Sequence, residues 1–157
     1  RCDSQYYIDS VNGDDGASGT AEAPLKTLTK GLSRVGGVPG TLFLKQGQTF
    51  SDLTKQPLFQ KFDDKVTFTG NCRLYVNANN RSWGDDQPAT IFLNQADSSF
   101  DIQKGFVTFH NIQFQRSTEN TGQTIVQVTG LSTTNLSVIP LKNGPINLGN
   151  RMSLLAI

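Results

Sequence analysis

A change of parity within one apolar segment constrains the fold of this chain more than any other feature. In the segment Val-Thr-Phe-His-Asn-Ile-Gln-Phe the apolar residues are Val107, Phe109, Ile112 and Phe114. Successive residues of a strand point to opposite faces, so one straight strand would place the two pairs on opposite sides. A corner at His110-Asn111 would instead turn both pairs toward one interior, and asparagine tolerates the left-handed backbone that a corner needs. The segment therefore predicts a strand, a two-residue corner and a second strand.

The remainder of the chain contains further short segments that favour strands. Segments that begin at residues 41, 65, 73, 89, 99, 124, 135 and 146 contain alternating apolar residues and end at turn-forming residues. Apolar pairs recur at similar spacing, namely Ile91/Leu93 with Ile112/Phe114, and Val107/Phe109 with Val126/Val128. Such recurrence is typical of stacked coils in a β-solenoid. An antiparallel sandwich or jelly roll would also contain many short strands, whereas an alternating βαβ fold is excluded because the pattern offers too few helices.

One amphipathic helix is predicted near the N-terminus. Its apolar residues recur at intervals of three and four, at Leu25, Leu28, Leu32 and Val35. Pro24 suits the entry, Thr27 is a candidate N-cap, and the glycine pair at 36–37 ends the helix. Gly31 lies inside the helix and weakens it by about 1 kcal/mol relative to alanine.

The loop from Asp9 to Pro24 is rich in Gly, Asp, Asn and Ser. It has neither the GxGxxG nor the GxxxxGK[ST] spacing of a phosphate-binding loop. Asp9, Asp14 and Asp15 supply carboxylates for a candidate calcium site, although the spacing of an EF-hand is absent. The alternative is that these side chains form turns by binding nearby main-chain groups, which Asp and Asn do readily. We favour the turns and expect no cofactor, with calcium as the alternative.

The N-terminal third resembles the first segment of right-handed parallel β-helix proteins of the pectin-lyase-like superfamily. The matching residues are Tyr7, Gly13, Asp15, Gly19, Thr20, Pro24, Lys26, Thr27, Leu28, Gly40, Thr41, Leu42, Leu44, Gly47 and Phe50. The resemblance implies an all-β fold, a right-handed parallel β-helix (solenoid) with one N-terminal amphipathic capping helix. It implies a single domain over 1–157, with strand, loop and capping helix in 1–50 and coils in 51–157, as a piece of a longer chain.

Composition excludes some partners and suggests a location. The formal net charge of +1 and the scattered lysines give no case for nucleic acid, and no apolar run is long enough to enter a membrane as a helix. Cys2 and Cys72 predict one disulfide, and Asn80 and Asn135 lie in glycosylation triplets. We therefore expect an extracellular or cell-surface protein. The apolar segment at 152–157 suggests self-association, or contact with a neighbouring domain, through the C-terminal end.

The candidate functional residues divide into catalytic and binding sets. Weak catalytic candidates for a polysaccharide lyase or hydrolase are Asp97, Asp101, Lys104 and Arg116, and none forms a recognisable signature. Trp83 and Tyr75 are candidate platforms for a carbohydrate ligand, while the single histidine, His110, has no catalytic partner placed by the sequence. We predict a non-enzymatic structural or adhesive module that stacks end to end or binds polysaccharide. The alternative is the N-terminal part of a carbohydrate-active β-helix enzyme.

Overall fold

The computed structural model describes residues 4–36, 39–52, 74–80, 83–84, 87–93, 100–102, 106–116, 124–128, 135–139, 146–147 and 153–155, with side chains in 4–36, 39–52, 74–80, 83–84, 87–92 and 108–113. The elements are β1 (Gln5–Ile8), α1 (Leu28–Val35), β2 (Gly40–Leu44), β3 (Thr49–Phe50), β4 (Leu74–Asn77), β5 (Ala89–Leu93), β6 (Phe100–Ile102), β7 (Phe106–His110), β8 (Ile112–Arg116), β9 (Thr124–Val128), β10 (Asn135–Ile139), β11 (Ile146–Asn147) and β12 (Ser153–Leu155).

These strands form three sheets, and their neighbours are mostly parallel. The first sheet has the order β1-β2-β4-β7-β10-β11, the second β3-β5-β8 and the third β12-β9-β6. The chain visits the sheets in rotation, since β4, β5 and β6 lie in the first, second and third sheets, as do β7, β8 and β9. Only β11 and β12 pair antiparallel among the described strands. For the part of the chain that the structure describes, the predicted all-β class with parallel strands and one helix is confirmed, and the parallel pairing there is not that of an antiparallel sandwich.

The predicted corner at His110-Asn111 is confirmed. Strand β7 ends at His110, β8 begins at Ile112, and Asn111 between them has a φ of 60° in the left-handed region. Phe109 and Ile112 are both buried, although their parity differs, because the chain turns at the corner. The side chains of Val107 and Phe114 lie outside the described residues.

The prediction of which apolar residues pair between neighbouring strands is wrong. Ala89 pairs with Ile112, and Ile91 with Phe114, so the repeat of β5 in β8 is two residues longer than the apolar pairs indicated. Val107 pairs with Leu136 of β10 in the first sheet, whereas Val126 belongs to β9 in the third. The error arises because apolar pairs look alike in every strand, while the register depends on the lengths of the connections between them.

The predicted helix is confirmed from its N-cap at Thr27 to its end at Gly36, whereas Pro24 and Leu25, which the pattern included, precede the helix. Thr27 is the N-cap, with its Oγ1 accepting a hydrogen bond from the Lys30 N–H at 3.1 Å, and Gly36 ends the helix with a φ of 68°. Leu28 and Val35 are buried as predicted, Leu32 is only half-buried, and Leu25 is buried before the helix, where it bridges to Ile8. Helix α1 packs on β1 and β2.

Gly31 lies on the same buried face of the helix as Leu28 and Val35, opposite strands β1 and β2. A Cβ built on this glycine would lie 2.5 Å from Cδ1 of Ile8 and 3.4 Å from Cδ2 of Leu42. The glycine thus allows the helix to approach the first sheet closely. Its low helix propensity is offset by this packing.

The opening loop folds back along the outer edge of β1. The Tyr7 N–H donates to the Gly19 carbonyl at 2.7 Å, while the Leu25 N–H donates to Tyr7 and the Asp9 N–H to Leu25, both at 2.8 Å. Gly13 is required nearby, because a Cβ there would lie 2.0 Å from the Leu25 carbonyl oxygen. The loop therefore covers a strand edge that would otherwise present unpaired main-chain groups.

The remaining predicted segments are described only in part. The strand predicted from residue 65 lies outside the described residues, whereas part of the apolar C-terminal segment forms β12 against β9. Within the described residues no helix is long and apolar enough to cross a membrane.

Candidate functional site

A row of half-buried side chains crosses the outer face of the first sheet. The registers place Tyr7 of β1 beside Phe43 of β2, Phe43 beside Asn77 of β4, and Asn77 beside His110 of β7. The neighbouring row, which contains Leu42, Val76 and Phe109, is buried in the core. Because successive residues of a strand alternate between faces, the half-buried row points away from that core.

Aromatic rings and one lysine cluster at the β1 end of this row. The rings of Tyr7 and Phe43 are stacked with centroids 4.7 Å apart and an interplanar angle of 24°. Trp83 meets Tyr7 edge to face, with centroids 4.9 Å apart at 82°. The Lys45 ammonium lies 4.3 Å from the centroid of the Trp83 ring, which is a cation–π contact.

The connection after β4 carries Trp83 to this cluster. The Trp83 N–H donates to the Asn80 carbonyl at 3.0 Å, which closes a turn. A Cβ on the following residue, Gly84, would lie 1.8 Å from Oε1 of Gln46. Gln46 itself is buried and donates from Nε2 to the Ala78 carbonyl at 2.6 Å. The absence of a side chain on Gly84 therefore lets the connection lie against the corner after β2.

Tyr75 and His110 form a second pair at the β7 end of the row. Their rings are parallel within 2°, with centroids 5.9 Å apart, and the Tyr75 hydroxyl lies 2.5 Å from Nδ1 of His110. Burial lowers the pKa of His110 below its ordinary 6.5. The imidazole is therefore neutral at pH 7, so that Nδ1 can accept a hydrogen bond from the phenol.

Three donors at the β1 end have no hydrogen-bond acceptor among the described residues. They are the Trp83 indole N–H, the Tyr7 hydroxyl and the Lys45 ammonium, which contacts the Trp83 ring and whose charge acts on Asp9. Each can donate to a ligand that lies on the rings. We call Tyr7, Phe43, Lys45, Trp83, Tyr75, Asn77 and His110 the aromatic row.

The aromatic row includes both binding residues that the sequence suggested, the single histidine His110, and four residues that the sequence did not suggest. Trp83 contacts Tyr7 of β1 and Tyr75 contacts His110 of β7, while Tyr7, Phe43, Lys45 and Asn77 were missed. The alternation in Thr-Leu-Phe-Leu-Lys could have revealed two of them, because Leu42 and Leu44 point inward and leave Phe43 and Lys45 outward. No local signal places Tyr7 beside Trp83, since they are far apart in sequence.

The weak catalytic candidates lie wholly or partly outside the described residues. Asp97 and Lys104 lie outside those residues, and the side chains of Asp101 in β6 and Arg116 in β8 are not described. The backbones of the latter two belong to the third and second sheets respectively.

The three aspartates of the opening loop bind separate sets of donors. Oδ1 of Asp9 accepts from the N–H groups of Val11 and Asn12 at 3.0 Å and from Gln48 Nε2 at 2.9 Å. Asp14 accepts from the Gly16 N–H at 2.9 Å. The described residues contain no group of three or more His, Cys, Asp or Glu side chains that could hold a metal ion. The hydrogen bonds agree with the turn interpretation, and calcium at this loop stays a prediction.

Asp15 links the opening loop to the start of the helix. Its carboxylate accepts from the Lys26 and Thr27 N–H groups at 2.9 Å and from the Thr27 hydroxyl at 2.7 Å. Burial alone would raise the pKa of the Asp15 carboxyl, but the bonds from Thr27 and Lys26, with the nearby Lys30 charge, lower it. Burial would also raise the pKa of the Asp9 carboxyl, but the hydrogen bonds from Asn12, Gln48 and Val11, with the Lys45 charge, lower it.

The predicted modification sites are only partly described. Asn80 is half-buried in the connection after β4, and the backbone of Asn135 begins β10. Cys2 and Cys72, the predicted disulfide partners, lie outside the described residues.

Comparison with known proteins gives little similarity. No family model and no curated protein matches the chain. A solved structure that resembles it is the native GH136 lacto-N-biosidase from Eubacterium ramulus, with 17% sequence identity and a TM-score of 0.42. The likeness covers 85% of this chain and 26% of the enzyme chain, so this chain spans about a quarter of that protein's length.

Proposed function

We propose that this chain is a right-handed parallel β-helix segment that serves outside the cell as a non-enzymatic structural or adhesive module. The rotation of the chain through three parallel sheets and the helix packed on β1 and β2 support the β-helix. In this role the helix and the opening loop close the N-terminal end, so that neither the apolar interior nor the edge of β1 is exposed there.

The module adheres to carbohydrate through the aromatic row. The observation that carries this proposal is the combination of half-buried rings with three donors that lack an acceptor among the described residues. A sugar ring has apolar C–H faces that pack on aromatic rings, while its oxygens accept hydrogen bonds from the surrounding donors. Aromatic residues with a polar group at one end suit such a surface, which is apolar in part and wet in part.

Affinity electrophoresis in gels containing soluble xylan, hydroxyethyl cellulose, pectate or alginate tests this function. We expect retardation in at least one gel and its loss in Trp83→Ala, because that change removes the indole face and its N–H together. Val11→Ala is the control variant, since Val11 is 66% exposed on the opening loop and outside the aromatic row. Equal mobility of wild type and Trp83→Ala in every gel would refute carbohydrate binding at this surface.

The same polysaccharides separate a module from an enzyme. We expect no shortening of any of them over a prolonged incubation, with or without calcium. Release of unsaturated uronate that disappears in Lys104→Ala or Arg116→Ala would overturn the non-enzymatic proposal and favour the lyase alternative.

A further inference from the structure

We infer that the aromatic row binds an extended saccharide chain that runs across the strands, with about one sugar residue over each strand. This inference rests on the proposed carbohydrate function and specifies the length and direction of the ligand. It follows from the positions of the row's residues in the sheet.

The spacing of the strands sets the length of the site. Strands β1, β2, β4 and β7 are consecutive neighbours in the first sheet, and they carry Tyr7, Phe43, Asn77 and His110 in one register row. Neighbouring strands lie about 4.8 Å apart, so the row spans roughly 14 Å from its first to its last position. One residue of an extended β-linked glycan is of similar length to the strand spacing. A single sugar therefore covers only one end, whereas a short oligosaccharide reaches from Trp83 to His110.

The two ends of the row differ in chemistry. At the β1 end, Trp83, Tyr7 and Lys45 combine ring faces with donors, including one positive charge. At the β7 end, Tyr75 and His110 are already hydrogen-bonded to each other and present parallel rings. A saccharide is thus held by donors at one end and by ring contacts at the other, which gives it a direction on the surface.

The arrangement of the main chain favours a saccharide over an added peptide strand. Strands β2, β4 and β7 have a neighbour on both sides, and the opening loop binds the outer edge of β1. A peptide that joins a sheet needs a free edge, with main-chain groups available for pairing. The aromatic row instead offers side chains on the face of the sheet, with donors that match the oxygens and any carboxylate of a glycan.

A length series of defined oligosaccharides tests the inference. The probes are cello-oligosaccharides, chito-oligosaccharides and oligogalacturonates, each from the disaccharide to the hexasaccharide. Trp83 is the only tryptophan of the chain, so its fluorescence reports a ligand at the β1 end. For the series that binds, we expect affinity to rise by roughly threefold to tenfold with each residue up to the tetrasaccharide and then to level off.

Variants at the far end show whether the ligand extends there. We expect His110→Ala and Tyr75→Leu, each of which removes one ring, to weaken binding of the tetrasaccharide by a larger factor than binding of the disaccharide. Gln113→Ala, an exposed position on β8 outside the aromatic row, is the control. The salt dependence of binding should be smaller in Lys45→Gln when the probe is an oligogalacturonate.

The possible failures are distinguishable. Equal affinity for the disaccharide and hexasaccharide would refute an extended site while leaving carbohydrate binding intact. Binding that neither far-end variant alters would confine the ligand to the β1 end and would also refute the inference. If no member of any series binds, both the inference and the proposed function are wrong.

Discussion

Asn111 holds the corner between β7 and β8 through its backbone conformation and through its side chain, and substitution can separate the two. Its φ is 60°, a value at which most residues with a Cβ are strained. Its Nδ2 donates to the Ala78 carbonyl at 2.9 Å and to the Gln87 carbonyl at 3.3 Å. The residue is only 3% exposed, so water cannot readily replace these bonds.

The expected costs follow from these two contributions. Buried hydrogen bonds contribute about 1 kcal/mol each, so Asn111→Gly should lower the free energy of unfolding by roughly 2 kcal/mol, with a few tenths more from greater freedom of the unfolded chain. Asn111→Ala loses the same bonds and adds left-handed strain, so it should cost about 1 kcal/mol more than the glycine variant. At this chain length, 1 kcal/mol corresponds to about 2–4 °C in Tm.

Asn111→Asp tests whether this position requires hydrogen-bond donors. An aspartate would direct acceptors toward two carbonyl oxygens, so at neutral pH it should destabilise the protein more than alanine does. Protonation of the buried carboxyl restores one donor. Burial and the facing carbonyls raise the pKa of such a group, so it is protonated at a higher pH than an exposed aspartate. The Asp variant should therefore regain stability, relative to the Ala variant, as the pH falls toward 5.

The assay is urea unfolding followed by circular dichroism for wild type and the three variants. Gln113→Ala, on the exposed side of β8, is the control and should change stability by less than about 0.5 kcal/mol. If the glycine variant is as stable as wild type, the side-chain bonds contribute nothing and this account of the corner fails. If glycine and alanine cost the same, the left-handed backbone is not a source of strain.

Three further outcomes can be measured. Gly31→Ala should destabilise by roughly 1–3 kcal/mol in urea unfolding, because the added Cβ would lie 2.5 Å from Ile8 Cδ1; a gain in stability would show that helix propensity prevails. Gly84→Ala should displace the connection that carries Trp83, since its Cβ would lie 1.8 Å from Gln46 Oε1, and should red-shift tryptophan emission; unchanged emission would contradict this packing. The pKa values of Asp9 and Asp15 lie below 3.8 in the folded protein, so their stabilisation is fully present well above that pH and is lost as the pH falls through the folded values. A pH series of unfolding free energies should therefore decline below about pH 4, less steeply in Asp9→Asn; identical slopes would count against this role of Asp9.

Features that depend on neighbouring residues in the chain could be predicted from the sequence. The corner at Asn111 follows from a parity change within eight residues, and the ends of α1 follow from Thr27 and Gly36. The turn interpretation of the opening loop agrees with hydrogen bonds that Asp9 and Asp14 form within a few residues. At Thr27, Asp9 and Asp14 the side chain acts on main-chain groups close to it, so the type and spacing of residues contain the relevant information. At Asn111 the local signal is the parity change with the tolerance of asparagine for a left-handed backbone, whereas its side-chain bonds to Ala78 and Gln87 depend on the tertiary structure.

Features that depend on how distant segments pack were decided only by the tertiary structure. Gly31 is weak in an isolated helix but necessary against Ile8, and Leu32 is half-buried although its spacing matches the apolar stripe. The aromatic row exists because parallel registers bring Tyr7, Phe43 and His110 side by side and a long connection returns Trp83 to Tyr7. Alternation indicates which face a side chain takes, but the lengths of the connections set the register that determines its neighbours.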